Sequence, residues 1–166
     1  RRQRSDVYKR QAGNSVTKKA TGAKILIHEN AEDALINPKT NLSISLPPIV
    51  ESPPADGLLK DNEEIIVDDA LSLKVLFTPG HCPGHICLSC EKNLFTGDLL
   101  FADSIGRTDF PNCDIYQMRD SLRRINNEIP DDFDILPGHN ETSTHITEKK
   151  SNYLYKSMIR GDLANM

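Results

Sequence analysis

Residues 78–85, Thr78-Pro79-Gly80-His81-Cys82-Pro83-Gly84-His85, decide how this chain is read. The run at 71–77 before them reads as a strand, so His81 stands where a strand gives way to a sharp turn. Pro79 has no N–H to continue a ladder, and Gly80 lets the backbone turn tightly. The next side chain is thereby aimed out of the strand end. Working outward, the same arrangement recurs twice. Phe95-Thr96-Gly97-Asp98 follows the short run at 93–95, and Leu136-Pro137-Gly138-His139 ends the run at 133–136. Each motif taken alone is a turn, since Gly-Asp and Pro-Gly are common turn dipeptides. Taken together they place two imidazoles and one carboxylate at three strand ends. Those donor types suit zinc or iron.

Strands are also predicted at 23–28, as a buried run, and at 63–67 and 85–88. Residues 14–22 read as the end of a short helix with a Gly22 stop, and Asn30 as the cap of another that ends at Asn37-Pro38. Residues 40–62, with Pro47, Pro48, Pro53, Pro54 and Gly57, read as a long surface loop. Apolar residues at 115, 118, 122, 125 and 129 carry the spacing of an amphipathic helix, with Asp114 as its cap. A last helix is predicted over 147–159. Strands flanked by helices indicate an α/β or α+β fold with helix layered on sheet.

The length of 166 residues suits one domain, and 37% hydrophobic content with 5% aromatics and no Trp is lean for its core. No window is long and apolar enough to span a bilayer, and the Arg-rich start has no apolar stretch behind it as a secretory signal would. Four cysteines are far too few for a disulfide scaffold and fit a reducing compartment, so the expected location is cytoplasmic. Of the net charge of −4, residues 1–11 carry five basic groups against Asp6 alone. That basic segment lacks aromatic interleaving and a following basic patch, so neither a nucleic-acid nor a membrane partner is expected.

The stretch at 78–85 resembles the third metal motif of the metallo-β-lactamase superfamily. Phe95-Thr96-Gly97-Asp98-Leu99-Leu100-Phe101 resembles its fourth, and Leu136-Pro137-Gly138-His139 its fifth. Ser104-Ile105-Gly106-Arg107-Thr108-Asp109-Phe110-Pro111 is similar to a segment of the small glyoxalase II-like hydrolases of that superfamily, and residues 142–154 to their tail. The resemblance runs over residues 14–160.

The resemblance implies an αββα sandwich with a two-metal site between its sheets. The residue matching His81 would bind one metal and that matching His139 the other, with Asp98 bridging them. The family takes its remaining ligands from an H-x-H-x-D-H motif. This sequence contains none, and His28 is the only histidine before His81. The expectation is therefore a sandwich incomplete at its N-terminal side. Residues 12–166 would form a partial domain, and 1–11 would be foreign or disordered. Two zinc ions are expected for an intact site and one or none for this chain, with iron as the alternative. The implied reaction is attack of a metal-bound hydroxide on a thioester or ester carbonyl, such as that of a hydroxyacyl-glutathione. No catalytic side chain beyond the metal ligands is identified, and little activity is expected from the chain as written. Two other readings stand: a non-haem iron oxidoreductase resembling the persulfide dioxygenases, and a non-catalytic fragment. The partner is a small molecule in the first two, and the oligomeric state is left open. Exposed strand edges lead us to expect marginal stability.

Other residues carry plainer expectations. His85, four residues after His81, reads as support for a ligand or a strand start. Arg107 and Asp109 pair locally, or brace the cleft. His28 is structural and His145 an exposed loop residue. Cys87 and Cys90 have C-x-x-C spacing but fall on opposite faces of a strand, so a zinc knuckle is not expected. Cys82 adjoins His81. Arg123, Arg124, Lys149 and Lys150 read as solvated helix faces.

Overall fold

A computed structural model describes residues 11–41, 43 and 52–162, so the basic segment at 1–10 and Pro47 and Pro48 of the expected loop lie outside the described residues. The chain divides into two compact units, Arg1–Leu59 and Lys60–Met166.

In the first unit, helix α1 (Asn14–Thr21) ends at Gly22, whose φ of 71° supplies the left-handed stop. Strand β1 (Leu26–His28) pairs in parallel with β2 (Gly57–Leu59). Of the run read as a buried strand, only these three residues form one, and of them only His28 is buried. Among the described residues, β1 pairs with β2 alone. Between the two strands lie a 3-10 turn (Glu29–Ala31) and helix α2 (Asp33–Ile36). The turn is capped by the His28 side chain, which accepts from the Asn30 amide, and α2 starts at Glu32 with no side-chain cap, so Asn30 does not take the capping place expected of it. β2 falls inside the stretch read as one long loop, because three residues, one of them Gly57, give too short an apolar signal. A cleft of about 450 Å³ opens between α1 and β1, lined by Lys18, Lys24, Ile25 and Leu35 among others.

In the second unit, a six-stranded sheet has the order β10-β9-β6-β5-β4-β3. Its strands are β3 (Glu64–Ile66), β4 (Ser72–Phe77), β5 (Ile86–Cys90), β6 (Asn93–Gly97), β9 (Asp134–Pro137) and β10 (Ser143–Thr144). All pairings are antiparallel except β6 with β9. A small hairpin, β7 (Leu100–Phe101) and β8 (Ser104–Ile105), follows β6 and turns at Asp103 with φ 54°. Helix α3 (Ile115–Glu128) begins at Asp114, whose carboxylate accepts from the Tyr116 and Gln117 amides as expected of a cap. Its apolar stripe, Met118, Leu122 and Ile125, packs with Leu76, Cys87, Leu94 and Ile135 of the sheet in one core cluster.

The helix predicted over 147–159 is two helices, α4 (His145–Ser151) and α5 (Tyr153–Arg160). Asn152 divides them: its side chain accepts from the Tyr155 amide and starts the second helix. Tyr155 and Met158 of α5 complete the core cluster. No helix among the described residues is long and apolar enough to cross a membrane.

Candidate metal centre

The parallel pairing of β6 with β9 brings the ends of those strands together, and the Gly138 amide donates to the Gly97 carbonyl at 2.8 Å. Asp98 and His139 therefore leave neighbouring strand ends on the same side. His81 reaches them from the end of β4. It is held there by α3: the Asp114 amide donates to the Gly80 carbonyl at 2.8 Å, and the Ser121 hydroxyl to the Pro79 carbonyl at 2.6 Å. Gly80 has φ 140°, and a Cβ there would stand 2.4 Å from the Met118 backbone. Only glycine admits so close a helix.

The three residues read from the sequence meet around one carboxylate. His81 Nε2 lies 3.5 Å from Asp98 Oδ2, and His139 Nε2 lies 3.7 Å from Asp98 Oδ1. The Asp98 side chain is 3% exposed, against 11% for His81 and 27% for His139. Each carboxylate oxygen thus serves a different imidazole. Among the described residues, no three His, Cys, Asp or Glu donors converge as a ready metal cage. The arrangement is two pairs sharing a carboxylate.

The donor chemistry of each pair fits a cation. Metal–ligand bonds of about 2.0–2.1 Å at tetrahedral angles place neighbouring donors about 3.3 Å apart, close to the separations found here. The His81 ring is also set for the task. Its Nδ1 lies 3.0 Å from the Arg107 carbonyl, which can only accept, so Nδ1 donates there and Nε2 is the ring nitrogen turned to Asp98. His139 is stacked against Phe101, ring centroids 4.5 Å apart.

His85 does not join the cluster as a donor to the cleft. Its Nε2 accepts from the Asp98 amide at 3.1 Å, and its Nδ1 lies 3.1 Å from the Thr78 carbonyl, so it supports Asp98 from behind. Arg107 and Asp109 form a bidentate pair at 2.8 and 2.6 Å, more than half exposed on both sides, with the guanidinium 4.5 Å over the Phe110 ring. Hydrogen bonding to Arg107 lowers the Asp109 pKa. The side chains make a local pair, and the Arg107 backbone is the part that touches the cluster.

Cys87 and Cys113 are engaged away from the carboxylate. Cys87 is fully buried, and burial pushes its thiol up to about 12. Cys113 donates from Sγ to the His81 carbonyl at 2.8 Å. His145 is the clearest correction to the sequence reading: expected in an exposed loop, it is fully buried. Its Nε2 faces the Tyr155 hydroxyl at 3.0 Å and its Nδ1 the Pro130 carbonyl at 3.2 Å. Arg124, expected on a solvated face, is only 20% exposed and ties Asp61, Glu128 and the Phe77 carbonyl together.

The sequence reading missed Glu148, Asn152 and Phe101 as neighbours of the site. Glu148 and Asn152 are almost wholly buried. Their only signal was that they lie in the tail segment similar to the glyoxalase II-like proteins.

The sequence profile described as the metallo-beta-lactamase superfamily matches residues 12–139. The hydroxyacylglutathione hydrolase GloC of Haemophilus influenzae is 40% identical over 99 residues, 58% of this chain and 47% of its own length. The probable metallo-hydrolase YqgX of Bacillus subtilis is 30% identical over 131 residues, 77% of this chain and 62% of its own. The crystal structure of the B3 metallo-β-lactamase BLEG-1 superposes with a TM-score of 0.76 at 30% identity, covering 86% of this chain and 69% of that one. The chain spans about half the length of the curated relatives it matches.

Proposed function

The chain belongs to the metallo-β-lactamase superfamily, and from that premise we propose that His81, Asp98 and His139 form part of the metal centre of a zinc-dependent hydrolase whose substrate is a thioester of the hydroxyacyl-glutathione kind. The fold class is α/β, of the metallo-β-lactamase kind, and members of this superfamily are for the most part metal-dependent hydrolases. The observation that carries the proposal is Asp98, which offers one oxygen to each of two imidazoles. A carboxylate so placed is shaped to be shared between two cations. The hydroxyacylglutathione hydrolase among the relatives supports the thioester class.

Bound zinc would supply Lewis-acid polarisation of the carbonyl and would acidify water at the site. The residues of this chain supply position. His81 turns Nε2 towards Asp98 because its Nδ1–H is held by the Arg107 carbonyl. Asp98 provides the negative charge between the two rings, and His85 pins the Asp98 backbone. Phe101 packs along His139 and limits its rotation. The sequence contains no H-x-H-x-D-H, so the proposal for the chain as written is weak zinc binding and little hydrolysis.

Calorimetric titration of the metal-stripped full chain with zinc, paired with thioester hydrolysis assays, tests this. Zinc binding that disappears in Asp98→Asn and His81→Ala is expected. No zinc binding by the parent chain would overturn it. Stoichiometric iron with oxygen consumption on a persulfide would instead establish the oxidoreductase reading.

A further inference from the structure

We infer that the buried pair Glu148 and Asn152 positions both imidazoles of the candidate centre by holding the segment from Phe101 to Arg107 in place. The inference rests on the reading of His81 and His139 as metal ligands. Neither Glu148 nor Asn152 approaches the cleft itself, so both are positioning residues.

Glu148 is 1% exposed and Asn152 is fully buried. Burying a carboxylate is costly unless hydrogen bonds satisfy it. Glu148 is satisfied by neutral donors: the Asn152 side-chain amide at 2.7 Å, the Asp103 backbone amide at 3.0 Å, and the Ser143 hydroxyl. The other Asn152 amide hydrogen goes to the Ser104 carbonyl at 3.0 Å, with the Phe101 carbonyl sharing it at 3.4 Å. The two side chains therefore grip the β7–β8 hairpin on both strands and at its turn, where Asp103 sits with φ 54°.

Each end of the gripped segment touches one imidazole. At its start, Phe101 is stacked on His139, with an interplanar angle of 25°. At its end, beyond Ile105 and Gly106, the Arg107 carbonyl accepts from His81 Nδ1. The Gly106 amide is fixed between them by the Leu99 carbonyl at 2.9 Å. One buried network thus sets the ring orientation of His139 and the hydrogen bond that orients His81. Partners that orient metal ligands from behind are typically worth 10–100-fold in metal affinity.

The test separates positioning from plain stability. Asn152→Asp keeps an oxygen for the Tyr155 amide and so keeps the start of α5. It removes the donors to Phe101 and Ser104 and places a second carboxylate against Glu148. Glu148→Gln keeps a carbonyl oxygen for Asp103 and Asn152 and serves as the conservative rescue. Two-bond ¹H–¹⁵N spectra of the histidine rings are recorded on the metal-stripped full chain. In the parent and in Glu148→Gln, His81 shows the shift of a hydrogen-bonded Nδ1–H, and the His139 ring protons carry the upfield shift of a stacked phenyl ring. In Asn152→Asp the His81 Nδ1–H loses its hydrogen-bond shift, the His139 shift is lost, and zinc affinity falls by about 10–100-fold. If Asn152→Asp does not fold, Asn152→Ser, which keeps a capping hydroxyl and adds no charge, is read in the same way.

A folded variant that is less stable but leaves both ring signatures at their parent values overturns the inference, because a purely structural network would lower the melting temperature alone. Changed ring signatures in a chain whose parent binds no zinc would uphold the positioning and remove the metal reading instead.

Discussion

The Asp98 backbone amide donates to His85 Nε2 at 3.1 Å, which makes His85 the fixed point from which the Asp98 carboxylate is aimed. The contact is close because Gly97 is close. A Cβ on Gly97, at φ 51°, would stand 2.9 Å from that same nitrogen. Gly97→Ala is therefore expected to destabilise the chain by about 1–3 kcal/mol, the usual cost of a strained backbone position. It should also displace Asp98 and weaken zinc uptake. Urea unfolding and zinc titration on the same preparation check both effects. Unchanged zinc affinity would show that His85 and Gly97 serve the fold alone.

Asp98→Asn removes the charge between His81 and His139 while keeping the shape. Zinc stabilises the folded state by an amount set by its concentration relative to its dissociation constant. The expected outcome is that zinc raises the melting temperature of the parent and not of Asp98→Asn. Differential scanning calorimetry with and without zinc reads this directly. An equal rise in both would mean that the ion binds elsewhere.

His145 links stability to pH. Burial lowers its pKa, against the raising effect of the Pro130 carbonyl. The folded chain therefore binds this proton less readily than the unfolded chain, whose histidines titrate near pH 6.5. Stability from this group is present in full above pH about 6.5 and is lost as the pH falls towards and through the lowered folded value. Replacing His145 by Asn should flatten the stability curve below about pH 6.5. Denaturant midpoints taken across that range check the slope.

Asp61 acts in a lower window. Partial burial works to raise its pKa, but hydrogen bonds from Arg124 and from the Phe77 amide outweigh it, and the net shift is downward. A carboxylate with a lowered folded pKa contributes stability above about pH 3.9 and loses it as the pH drops through the folded value. Its side chain is 38% exposed, so solvent screens the pair, and Asp61→Asn should cost about 0.5–1 kcal/mol at neutral pH. The variant and the parent should converge as the pH falls below about 3.9 and the carboxylate takes up its proton, read from thermal midpoints against pH.

Much of the candidate centre was legible in one dimension. Gly80-His81, Gly97-Asp98 and Gly138-His139 each follow a short apolar strand, and a strand end followed by glycine is a local pattern. The α3 stripe and its Asp114 cap were legible for the same reason, because both depend on spacing within one helix. His145 and Arg124 were misread. A polar residue on a polar stretch looks exposed until the elements that cover it are placed. Asn152 was read as helix interior, since its capping role shows only once the turn before α5 is formed.

The sequence by itself determined the kinds of donor, their order and the strand ends that carry them, because those follow from local periodicity and turn chemistry. It also determined that no H-x-H-x-D-H accompanies them. Only the tertiary structure decided which oxygen of Asp98 faces which imidazole. It likewise decided that His85 turns to a backbone amide and not to the cleft, and that Glu148 and Asn152 grip the hairpin running past both rings. These are contacts between residues far apart in the chain, such as Asp103 with Glu148. Their geometry is set by the β6–β9 pairing and by the packing of the helices against the sheet, which no short stretch of sequence encodes.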